Sequence, residues 1–173
     1  MTAQRSVYNF EGMAQKEKGE AILVRNKKAF HDYTILQTLE AGVSLLGTEV
    51  KSVKSGNVVL KDGYCFIRNG EVFLRNVHIG TYPYAHGMNH DPVRERKLLL
   101  HKSEIRKLNA KIKEKGLTLV PLQVYQKYGK VKIEIGLVRG KRLYDKKEDI
   151  KKRDMSRDLK QNYRTSNLSG GLK

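Results

Sequence analysis

Five histidines are the side chains in this sequence best suited to catalysis or metal binding, and their spacing is the first test for an enzyme. His86 and His90 stand four apart in HGMNH, the separation that puts two imidazoles on one face of a helix around zinc. Gly87 between them and the nearby Pro92 place the pair on a loop instead, and the glutamate that follows the first histidine of a zinc-protease motif is missing. His31, beside Phe30 and Tyr33, suits packing as well as function; His78 falls on a strand pattern, and His101 where Leu100 turns into a helix. GLVRGK has three residues between its glycines where a phosphate loop needs four, and Arg142 where that loop needs Ser or Thr. No G-x-S-x-G elbow occurs, and no serine pairs with a histidine and an acid. Cys65 is the single cysteine, which rules out an intramolecular disulfide or a cysteine zinc cluster, and its strand-like setting Tyr64-Cys65-Phe66-Ile67 predicts a buried, inert thiol. The expectation is a protein without catalytic residues, metal or cofactor.

Binding chemistry is better represented. The 35 basic and 18 acidic residues leave a net charge of +17, a balance that favours a polyanionic partner, because each neutralised phosphate releases counterions. Tyr82, Tyr84, Tyr125 and Tyr128 lie among lysines and arginines, the composition of a surface that stacks bases and tracks a backbone, although each tyrosine equally suits a half-buried place on a strand. The stretch RGKRLYDKKEDIKKRDMSRDLKQNYR, residues 139–164, holds eleven basic and five acidic residues with little apolar surface. Ordering a residue costs about 1–2 kcal/mol, so this basic tail is expected to stay disordered until something outside the chain orders it. Met155, Leu159 and Tyr163 form too narrow a stripe for a membrane-surface helix, and neither a spanning run nor the apolar core of a signal peptide is present, so a cytoplasmic protein without membrane contact is expected.

The elements that would position these groups follow from periodicity. Residues 1–20 read as a flexible leader, with regular structure starting at Asn26 as the cap of a short helix, KKAFHDY. A strand YTILQTLEAG follows, then a short helix in TEVKSVKSGN capped by Thr48, with Val50 and Val53 inward. GYCFIRNGEVFLRNVHIG predicts a hairpin turning at Asn69-Gly70, and LTLVPLQVYQKYGKVKIEIGLV another turning near Tyr128-Gly129-Lys130, with Val131, Ile133, Ile135 and Leu137 on the core face and the alternate face wet. Lys97 to His101 suits a short strand, and Ser103 caps a helix stopped by Gly116. About six short antiparallel strands with about three short helices make a mainly β, α+β chain whose sheet hides its edges by closing into a small barrel. Oligonucleotide-binding (OB) barrels are the nearest common type.

Several stretches together resemble the SsrA-binding protein family, also called small protein B. They are KAFHDY, EAG, GTEVKS, NHDP, RKLLLHKSEI, KGLTLVPL and YDKKEDIKKRD, in the family's order and at its spacing from about residue 21 to about 158. The resemblance implies an OB-like barrel over residues 21–144 and a tail over 145–173 that is ordered only on the ribosome. It implies a non-enzymatic role in trans-translation: binding the tRNA-like domain of transfer-messenger RNA and delivering it, with elongation factor Tu engaged through the charged RNA, to stalled ribosomes. A monomer is expected.

Residue by residue, the resemblance implies RNA contacts at Glu40, Leu99 and His101, with Lys51 and Asn89 in support. It implies that His31 faces the decoding site and that the tail enters the empty messenger channel. Tyr144, Asp145, Lys146, Lys147, Ile150, Lys151, Lys152, Arg153 and Met155 are its contact residues. Lys147 stands where the family motif carries arginine, exchanging a bidentate fork for a point charge. A general RNA-binding barrel, such as a ribosome assembly or initiation factor, is the alternative, and a nuclease using His and Lys is the third class.

Overall fold

The computed structural model of the protein describes residues 20–85 and 87–141. Residues 1–19 of the expected leader, His86 and the whole expected tail, including Tyr144, Asp145, Lys146, Lys147, Ile150, Lys151, Lys152, Arg153 and Met155, lie outside the described residues. In chain order the elements are β1 (Glu20–Arg25), α1 (Lys27–Asp32), β2 (Tyr33–Val43), α2 (Gly47–Lys54), β3 (Val58–Val59) and β4 (Tyr64–Arg68). Then come β5 (Glu71–Arg75), β6 (His78–Ile79), β7 (Arg96–Leu99), α3 (Lys102–Lys115), β8 (Thr118–Lys127) and β9 (Lys130–Gly140).

The sheet runs β1-β8-β4-β5-β7-β2-β9, and β8 also pairs with β9, so six strands close into an antiparallel ring with β1 added outside it. Closure requires bent strands. Register shifts between Ile35 and Gln37 in β2 and between Pro121 and Gln123 in β8 supply the bends. Pro121, which cannot donate to a ladder, sits at the second of them. The inward side chains of the ring, among them Ala41, Val72, Leu98, Leu119, Ile133 and Ile135, pack with Val53 of α2 and Ile105 and Leu108 of α3 in one core. Cys65 belongs to that core, where burial pushes its thiol well above the ordinary range, as an inert cysteine requires.

The sequence expectations need four corrections. Among the described residues regular structure begins with β1 rather than at Asn26, because Ile22 and Val24 pair along β8. There are nine strands among the described residues rather than about six, the extra ones being β1 and the short β3 and β6, which pair with each other. Helices α2 and α3 have N-caps at Leu46 and His101 rather than Thr48 and Ser103. In each the third helical residue is a glutamate that reaches back. Glu49 Oε2 accepts from the Leu46 N–H at 2.7 Å, and Glu104 Oε2 from the His101 N–H at 2.9 Å, so the orphan donor is satisfied without a hydroxyl at the cap. Finally, the wet face of β9 dries out near its end. Val138 is fully buried in a second small core with Ala29, Val120 and Leu122, because α1 covers the barrel wall there.

The turn and cap expectations that follow hold. Asn69 and Gly70 turn the first hairpin at φ 52° and 73°, and Tyr128 and Gly129 turn the second at 48° and 76°. Gly116 ends α3 in the left-handed region. Asn26 caps α1, accepting from the Ala29 N–H at 3.1 Å, while its amide donates to Leu60 O at 3.0 Å and Pro121 O at 2.9 Å. One buried side chain thus ties α1 to the barrel.

Candidate nucleic-acid interface

Strand β2 organises the site. Its outward residues include Thr38 and Glu40, and Gly42 stands opposite Leu99 of β7 on one side and Lys132 of β9 on the other. A side chain at position 42 would meet Leu99 Cβ at 3.2 Å, so the glycine leaves room for Leu99, which is 54% exposed. An exposed leucine flanked by charge is an apolar pad on a polar surface. His101, two residues on and exposed, begins α3. The outward face of α3 carries Arg106, Lys107, Lys111, Lys113 and Lys115.

Glu40 is the acidic centre of this basic wall. The Tyr125 hydroxyl donates to Glu40 Oε2 at 2.6 Å, Lys132 Nζ lies 3.4 Å from Oε1, and Lys127 Nζ lies 3.7 Å from Oε2. The Tyr125 hydrogen bond is the largest influence holding the Glu40 carboxyl below its ordinary value; partial burial opposes it, and Lys127 and Lys132 reinforce it. The result is an ionised carboxylate in a fixed orientation, still 40% exposed and able to accept further donors. Tyr125 itself is only 7% exposed, so it serves as a hydrogen-bond donor to Glu40 rather than as an open stacking ring. Sequence reasoning did not connect Tyr125, Lys127 and Lys132 with Glu40, since the link runs across the sheet from β2 over β9 to β8.

Lys51 and Asn89 gather elsewhere, around Tyr82. Lys51 Nζ is 4.9 Å from the Tyr82 ring centroid, and Tyr84 packs edge-on to Tyr82 at 5.6 Å. The Asn89 amide is engaged with the loop itself, accepting from the Tyr82 N–H at 3.1 Å and donating to Tyr82 O at 2.9 Å. It shapes the loop that carries Tyr84 and Met88, both largely exposed.

Beneath this loop lies a buried ionic network. Glu49 of α2 and Arg96 of β7 have fully buried side chains joined at 2.9 Å, and Arg94 adds a second guanidinium to the same carboxylate. Arg96 also donates to the carbonyls of Val77 at 2.6 Å and Pro92 at 2.9 Å. Burial alone would push the Glu49 carboxyl up; hydrogen bonds from Arg94, the Leu46 N–H and Arg96 outweigh it and hold the group below its ordinary value. The Glu of GTEVKS and the Arg of RKLLLH thus meet in this network. His90 is buried beside it, its Nδ1 2.9 Å from the Thr48 hydroxyl and its Nε2 3.1 Å from Ile79 O, which makes it a structural histidine. Among the described residues no cluster of His, Cys, Asp or Glu is placed to hold a metal, and no helix is long and apolar enough to cross a membrane.

His31 marks the other end of β2. Its Nδ1 lies 2.9 Å from Asp32 Oδ1, and the ring is partly exposed on the last turn of α1. The end of β9 comes back to the same place: Tyr33 pairs with Gly140, the Lys141 N–H donates to Asp32 O at 3.0 Å, and Lys141 Nζ to Phe30 O at 3.3 Å. The chain therefore leaves the described barrel beside His31. At about 3.4 Å per residue, the strand path from Tyr33 to Gly42 is about 30 Å, so Glu40 and Leu99 sit far from that exit.

The SmpB protein family model matches residues 23–165. An SsrA-binding protein of Acetivibrio thermocellus is 55% identical over 156 residues, covering 88% of this chain and all of the relative. One of Geobacter metallireducens is 53% identical, covering 87% of this chain and 99% of the relative. A solved chain described as "tmRNA-SmpB: a journey to the center of the bacterial ribosome" superposes with a TM-score of 0.60 at 47% identity, over 73% of this chain and 93% of that one. With the closed barrel and the matching motifs, these similarities establish that the chain belongs to the SmpB family.

Proposed function

We propose that this protein binds transfer-messenger RNA through the Glu40 and Leu99 wall and serves trans-translation at stalled ribosomes. The observation that carries the reading is the separation along β2, with an acid-centred basic wall at one end and His31 beside the chain exit at the other. A carboxylate gains nothing from phosphate, so Glu40 accepts from a base edge or a 2′-hydroxyl while the surrounding lysines position the backbone. Leu99 packs on an unstacked base, His101 stacks or donates, and Lys51 and the loop held by Asn89 contribute at the edge. His31 and the basic tail, residues 145–173, act together at the decoding centre and the messenger channel, ordered there by ribosomal RNA. Elongation factor Tu is engaged through the charged RNA. The protein works as a cytoplasmic monomer and not as an enzyme.

The test is selectivity and separability. The full chain is expected to prefer the tRNA-like domain of transfer-messenger RNA over ordinary tRNA, and Glu40→Ala or Leu99→Ala to weaken that binding. Deleting residues 145–173 is expected to leave it nearly intact and to abolish ribosome rescue. Equal affinity for both RNAs, or equal loss of affinity in all three variants, refutes the reading.

A further inference from the structure

The β4–β5 hairpin turns an aromatic face outward, where alternation calls for polar residues. Cys65, Val72 and Leu74 point into the core, so Phe66 and Phe73, directly opposite each other in the ladder, lie on the outer face. Their rings stack at 5.7 Å with 24° between planes, and Tyr64 extends the cluster, 6.2 Å from Phe66. The Arg68 guanidinium caps them, 4.7 Å from the Phe73 centroid and 5.6 Å from that of Phe66. Glu95 tethers it at 3.3 Å and takes Arg75 at 3.6 Å, yet Arg68 remains 56% exposed. The arrangement is a tethered, charged, planar surface over two rings.

This surface is continuous with the wall described above. Phe73 stands opposite Lys97 of β7, and Leu99 lies two residues further along the same strand on the same face, about 7 Å away. The outward strip therefore runs Phe66, Phe73, Lys97, Leu99, Gly42. Cross-strand ring pairing alone would stabilise the hairpin, but it does not require an arginine set over both rings at the margin of an RNA-facing wall.

We infer that the Phe66, Phe73 and Arg68 cluster is a second stacking site for an unpaired base of the same RNA. The base lies on the guanidinium plane, with Arg75 and Lys97 beside its phosphates. Arginine planes and aromatic rings are the surfaces on which splayed RNA bases stack, and the combination fits a looped or single-stranded nucleotide rather than a duplex. The inference rests on the RNA-binding reading proposed above and extends its surface by one strand pair.

Dissociation constants of the full chain for the tRNA-like domain, measured at several salt concentrations together with thermal midpoints, decide it. Phe66→Leu with Phe73→Leu, and separately Arg68→Gln, are expected to weaken binding by about fivefold to 150-fold, the worth of one stacked base. Both variants should largely keep the parent's salt dependence, since the groups removed meet a base and not a phosphate. Should the double variant fail to fold, Arg68→Gln, which leaves both rings in place, decides alone. Parent-like affinity in these variants alongside weakened Leu99→Ala overturns the stacking site and leaves the RNA reading standing. Parent-like RNA affinity with lost ribosome rescue also overturns it, since the cluster would then face a different partner. If Glu40→Ala and Leu99→Ala also bind like the parent, the RNA-binding reading falls and this inference falls with it.

Discussion

Removing one oxygen at Tyr125 tests whether the structure holds Glu40 in a reading position. In Tyr125→Phe the ring still fills its nearly closed site, but the 2.6 Å hydrogen bond to Glu40 Oε2 is lost. A hydrogen bond to a charged group is worth about 1.5–3 kcal/mol. Glu40 is 40% exposed, so water replaces part of the interaction, and a cost of about 1 kcal/mol at neutral pH is expected. The pH dependence follows from linkage. Because the folded protein holds the Glu40 carboxyl below its unfolded value, the ionised group contributes stability above the unfolded pKa and loses it as pH falls through the folded one. The gap between parent and variant should therefore be full at neutral pH and narrow in acid. Urea unfolding at neutral and acidic pH, with an NMR titration of the Glu40 carboxyl, measures both parts, and affinity for the tRNA-like domain should fall as the carboxylate loses its orientation. An unchanged Glu40 titration with unchanged RNA affinity refutes the positioning argument.

The buried network offers a larger effect. Glu49→Ala strands two guanidinium groups, one of them fully buried, and should cost about 3–5 kcal/mol in urea unfolding, while an exposed change such as Lys113→Ala should cost almost nothing. Asn26→Ala removes the α1 cap and leaves the Leu60 and Pro121 carbonyls without their amide donor, so a loss of at least about 2 kcal/mol is expected from the same measurement. Tyr128 adopts a left-handed φ of 48° at an exposed turn, and Tyr128→Asn should raise the thermal midpoint because asparagine tolerates that conformation better. A peptide of residues 145–173 should show little helical circular dichroism in plain buffer; a strongly helical spectrum would contradict ordering by the ribosome.

Much of the local architecture was legible in the sequence because it depends on neighbours in the chain. Asn69-Gly70 and Tyr128-Gly129 marked both hairpins, Asn26 marked a helix start and Gly116 a helix end, and the alternation of Ile133, Ile135 and Leu137 marked a core face. The caps of α2 and α3 were misplaced for an equally local reason. Each cap lies two residues before the hydroxyl of Thr48 or Ser103, because its N–H is satisfied by a glutamate reaching back from the third helical residue.

What the sequence by itself determined was the chemistry carried by the chain: a polycation, a barrel-forming strand pattern, and motifs that placed Glu40, Leu99 and His31 under notice. What only the tertiary structure decided was which distant groups act on one another. Tyr125 reaches Glu40 from 85 residues away, Arg96 reaches Glu49 from 47, and the end of β9 returns to His31. The physical reason lies in the closed ring. Strand pairing and two bulges fix each outward side chain relative to strands far off in the chain, so a carboxylate that any linear reading would leave solvated becomes held, charged and aimed.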